Sequence, residues 1–146
     1  MQNYLKTSLW SLALILFTFM AVSCNDDDDK QPEKKKVYTL ESVAGSGIAG
    51  TVTFEEAGSS LTTVTIELTG SNADSVHAAH IHKGVKGSGG EVAFPLANVV
   101  KSKSTTLVDA TYDELLKYNG YVNVHASTME VNPAVVATTN IGSNSK

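Results

Sequence analysis

Leu61-Thr62-Thr63-Val64-Thr65-Ile66-Glu67-Leu68-Thr69 is the stretch whose reading decides the fold. Val64, Ile66 and Leu68 fall on one side of an extended chain, and Thr63, Thr65 and Glu67 fall on the other. A period of two carried by β-branched residues is the pattern of a half-buried strand. Turn formers bound it, with Gly58-Ser59-Ser60 before and Gly70-Ser71-Asn72 after. Outward from this strand, residues 50–54 alternate in the same way, and residues 37–40 begin the β-rich part of the chain. Towards the C-terminus, residues 76–82 read as the next strand. The glycine-rich connection 84–90 then leads into 91–96. Further strands are expected at 105–110, 121–126 and 133–141. One helix interrupts them. Thr111-Tyr112-Asp113-Glu114 has the form of a capping box, Leu115 and Leu116 would pack down, and Asn119-Gly120 would end it. Short strands, frequent turns and one short helix predict an all-β, antiparallel sandwich or barrel with no internal repeat.

The 146 residues leave room for one domain once a leader is set aside. The formal net charge is -4, no arginine occurs, and the lysines are scattered or lie before the domain. This excludes the basic face that nucleic-acid binding needs. Cys24 is the only cysteine, so the domain has no disulfide and no thiol chemistry. Its fold must rest on packing or on a bound metal.

Residues 1–23 have the form of a signal peptide. Lys6 precedes an apolar run at 9–22 that is short for a membrane span of about 20 residues. The run ends in Ala21-Val22-Ser23-Cys24, which resembles the lipobox of bacterial lipoproteins, although Ala21 stands where that family prefers leucine. The resemblance implies that Cys24 is acylated, with palmitate among the chains, and becomes the first mature residue. Several acyl chains would hold the protein on a membrane stably. Residues 24–36 carry Asp26-Asp27-Asp28-Asp29 followed by proline and lysines, a composition that predicts a disordered tether to a domain at 37–146. An acidic run behind a lipidated cysteine is similar to the export signal of surface lipoproteins. It implies an outer-membrane, lipid-anchored, surface-exposed location.

Four histidines occur, at positions 77, 80, 82 and 125. Alternation along a strand puts His77, Ala79 and Ile81 on one face and His80 and His82 on the other. On the late strand, Val122 and Val124 oppose Tyr121, Asn123 and His125. With Ile81, Val122 and Val124 sent to the core, His80, His82 and His125 point away from it. If the two strands are neighbours, three imidazoles and the Asn123 amide gather on one patch, and a bulge near Ala78-Ala79 would bring His77 to the same side. Such a cluster suits copper or zinc, with Asn123 and Tyr121 as supporting residues. The other reading is structural, with the imidazoles bonding loop carbonyls.

The same residues carry a family likeness. His77-Ala78-Ala79-His80-Ile81-His82-Lys83-Gly84, then Gly89-Gly90-Glu91-Val92 and Tyr121-Val122-Asn123-Val124-His125, resemble the CHRD domain, a module named from chordin and common in bacterial exported proteins. The resemblance spans about residues 37–142 and implies an immunoglobulin-like β-sandwich of Greek-key type. The sequence departs from the family after Asn132-Pro133, where the family's usual arginine is missing. A His-x-His strand with a late histidine is also similar, more weakly, to the copper site of Cu/Zn superoxide dismutases. Four histidines do not supply a bridged two-metal site, however, and the disulfide and guiding arginine are absent.

Other motifs are set aside. Asp74, Ser75 and His77 lie too close along one strand to form a triad. The 84–90 loop lacks the Gly-Lys-Ser/Thr ending of a phosphate loop and leads into a strand. Asp113 and Glu114 are helix-start charges, and Tyr112, Tyr118 and Tyr121 are expected to pack in the core around the helix or to line the histidine patch. The expected function is therefore a surface-anchored CHRD lipoprotein acting as a non-enzymatic binding or adhesion module for a protein or glycan partner. A copper or zinc protein is the principal alternative, and redox activity of the dismutase type is a third.

Overall fold

The structure, a computed structural model, describes residues 34–128 and 133–145. The expected signal peptide, the lipidation site Cys24, the acidic run and Asn132 lie outside the described residues.

Eight strands and one helix follow in the order β1 Lys35–Ser42, β2 Ala49–Glu56, β3 Thr62–Thr69, β4 Val76–Lys83, β5 Val92–Val100, β6 Lys103–Val108, α1 Tyr112–Lys117, β7 Asn119–His125 and β8 Val135–Gly142. Every pairing is antiparallel. Around the sheet the order is β1-β2-β3-β6-β5-β4-β7-β8, and the sheet closes on itself as a barrel. β4, β5 and β6 run in sequence, and β7 returns to lie beside β4, which is a Greek-key connection.

The expected immunoglobulin-like sandwich is thus corrected to a closed barrel. Two short seams make the difference. β1 meets β8 at Glu41↔Thr138 and Ser42↔Ala137, and β5 meets β6 at Val100↔Lys103. Lys101 and Ser102 turn the β5–β6 hairpin with φ of 50° and 65°. Both central residues lie in the left-handed region, as a type I′ turn requires. Alternation along a strand says which side chains face inward, but not whether the outermost strands find each other.

Inside the barrel, Leu40, Val52, Phe54, Val64, Ile66, Ile81, Val99, Val122, Val124 and Ile141 are fully buried. The strand that set the fold behaves as its sequence demands: β3 alternates strictly between buried and less buried residues. Thr111 caps α1 as expected. Its Oγ1 accepts the Glu114 N–H at 3.1 Å, and Glu114 Oε2 accepts the Thr111 N–H at 2.8 Å. Several element boundaries differ from expectation, two of them near the candidate site or the domain edge. Tyr118 caps the helix, so Asn119 and Gly120 open β7 instead of ending α1. β1 starts at Lys35, where Lys35 and Lys36 pair with Glu55 and Phe54.

Candidate metal centre

β4 and β7 are neighbours, with His80 opposite Asn123 and His82 opposite Tyr121. Ile81, Val122 and Val124 face the interior. The imidazoles of His80, His82 and His125 therefore stand together on the outer face. Their ring centroids are 5.7 Å (80–82), 5.3 Å (80–125) and 6.3 Å (82–125) apart. One nitrogen from each ring lies within 4.8 Å of the others. Among the described residues, no Asp, Glu or Cys joins this group.

The patch faces outward but is roofed. His82 is only 9% exposed and Tyr121 only 2%. The 84–90 loop supplies one side of the roof. His82 Nδ1 lies 2.9 Å from the Gly90 carbonyl oxygen, and the Gly90 N–H donates to the Tyr121 hydroxyl at 3.0 Å. The Tyr121 ring stacks on His82, 5.0 Å away and 14° from parallel. Gly90 is required here for space, since a Cβ on it would come within 1.8 Å of the Lys83 carbonyl oxygen. On the other side, His125 Nδ1 lies 2.9 Å from the Pro133 carbonyl oxygen.

A carbonyl oxygen only accepts, so Nδ1 carries the proton in both His82 and His125. That leaves Nε2 of each with a bare lone pair. Those two atoms, together with His80 Nδ1, are sealed from solvent and have no hydrogen-bond partner. A buried polar atom left unpaired costs about 1–3 kcal/mol. In His82 and His125 a carbonyl acceptor already fixes the tautomer, the arrangement usual behind metal-bound histidines. Burial pushes the His80 imidazole below its ordinary pKa, and the neighbouring His125 and His82 rings add to the effect. A depressed pKa favours the neutral form of the His80 imidazole, the form that a metal ligand takes.

The remaining sequence candidates fall elsewhere. The β4–β5 register does shift between His77 and Ala79, but His77 stays apart from the three-histidine group. It is 3% exposed, with Nε2 at 2.9 Å from Ser71 Oγ and Nδ1 at 2.8 Å from the His125 carbonyl oxygen. Asn123 accepts a hydrogen bond from Thr138 Oγ1 at 2.7 Å. Sequence reasoning missed Gly90, Pro133 and Ser71. Only the Gly89-Gly90 pair in the quoted motif hinted at any of them.

The sequence matches the CHRD domain family over residues 33–131. No curated protein matches it.

Proposed function

The chain belongs to the CHRD domain family, and from that premise we propose that it is a copper-binding member of the family, carried on the bacterial envelope. A single observation carries the metal reading: His80, His82 and His125 each bring a ring nitrogen within 4.8 Å of the others, and each has a buried ring nitrogen with no partner. A cation held between the three rings would give all of these atoms a partner at once. Neutral imidazole donors suit copper and zinc. At one nitrogen site the general order of affinities puts divalent copper above zinc. We rank metal binding ahead of adhesion to a protein or glycan partner because these atoms call for a specific occupant.

The test is metal content, measured on chain purified without a histidine tag and offered copper and zinc together. The expected result is about one copper per chain in the parent and none in the His80→Ala/His82→Ala/His125→Ala variant. No metal in either protein overturns the reading. Superoxide turnover by the copper-loaded chain then separates a redox role from a purely binding one.

The envelope setting rests on the sequence at 1–36. Cys24 at the end of an apolar leader supports lipidation, and the acidic run behind it supports display on the outer membrane. Labelling cells with an alkyne analogue of palmitate should tag the parent but not Cys24→Ala. Protease added to intact cells should remove the domain if it is displayed outside.

A further inference from the structure

We infer that His77 is a positioning residue for the ligand His125, working through the backbone and not through the metal. The inference rests on the metal reading above and extends it to a residue that is not one of the three donors.

His77 Nδ1 faces the His125 carbonyl oxygen at 2.8 Å. Because that oxygen can only accept, Nδ1 carries the proton, and Nε2 is left to accept from the Ser71 hydroxyl at 2.9 Å. The ring is 3% exposed and bonded at both nitrogens. A chain of bonds runs from the 70–75 loop through β4 to the last residue of β7. Both strands are irregular where it crosses. The β4–β5 register shifts between His77 and Ala79, and the β7–β8 register shifts between Val124 and His125. A strand end at a register shift is where the ladder holds a residue least firmly, and there a side chain must supply the missing constraint. His125 is the one donor on β7, so the angle between its imidazole and the β4 pair depends on that local backbone. His77 holds the carbonyl while Pro133 holds the ring nitrogen.

Two amide substitutions separate the two ends of the His77 ring. Asparagine can put an N–H where Nδ1 stands, keeping the bond to His125 and losing Ser71. Glutamine can put its oxygen where Nε2 stands, keeping Ser71 and losing His125. Copper affinity by chelator competition, the electron paramagnetic resonance spectrum of the cupric form and thermal unfolding of the metal-free protein would be measured for both. His77→Asn should stay near the parent in affinity and spectrum. His77→Gln should lose about 10- to 100-fold in affinity, the usual cost of losing an outer support, and its spectrum should shift. Equal affinities for the two folded variants overturn the inference, whether both match the parent or both fall. A second readout needs no variant. In the parent, the His77 Nδ1 proton should exchange slowly with solvent and its resonance should move on zinc loading. Fast exchange, or no movement, overturns the role. A parent that binds no metal overturns instead the metal reading on which the role depends.

Discussion

The β2–β3 hairpin and the β4–β7 pair share one barrel and one geometry, yet their outer faces are put to opposite uses. On β3 the outward residues Thr63, Thr65 and Glu67 meet solvent, and Thr65 is paired across to Thr105. Burial simply alternates. On β4, Ile81 and His82 are both buried in succession, and on β7 Gly120, Tyr121 and Val122 are too. Broken alternation means that something covers the outer face. Here the 84–90 loop and Pro133 cover it, and what they cover is a set of unpaired imidazole nitrogens. A face left to water needs only polar side chains. One closed over polar atoms with no partners carries a cost in stability.

The contrast can be attacked from its largest expected effect downward. Phe54→Ala, in the β2 wall, should destabilise the protein by about 3–5 kcal/mol through the cavity it leaves. Denaturant unfolding measures this, and the metal-free and metal-loaded proteins should lose the same amount. On the β4–β7 side the metal itself should matter. At free copper about 100 times the dissociation constant, loading should add about 2.7 kcal/mol. Calorimetric unfolding should show that gain vanish in His82→Ala while the Phe54→Ala protein keeps it. Thr111→Ala should cost about 1 kcal/mol, because the helix loses its capping hydroxyl, and this too should be indifferent to copper. Smallest of all, Thr65→Ser on the open face should stay within about 0.5 kcal/mol of the parent. A copper-dependent effect at Thr65 or Phe54 would break the division between the two regions.

Much of this was legible locally. The capping box at Thr111 and Glu114 formed as written, since both partners sit within one turn. The side assignment of His80, His82 and His125 followed from the inward demand of Ile81, Val122 and Val124. The helix end was misread because Asn119-Gly120 resembles a stop signal, yet both residues are claimed by pairing to β8 at Gly142 and Ile141. The role of His77 was not legible at all. Its partners, Ser71 and the His125 carbonyl, lie 6 and 48 positions away.

The sequence by itself determined an all-β domain, the inner and outer faces of β3, β4 and β7, the capped helix and the common outer placement of His80, His82 and His125. Those properties have periods of two or four residues and are set by the backbone's own geometry. Tertiary structure alone decided that β4 lies beside β7, that β1 closes on β8 to make a barrel, and that the carbonyls of Gly90 and Pro133 fix which imidazole nitrogens stay bare. These depend on contacts between distant segments. The free energy that selects them is shared over the whole barrel, and no short stretch of sequence carries it.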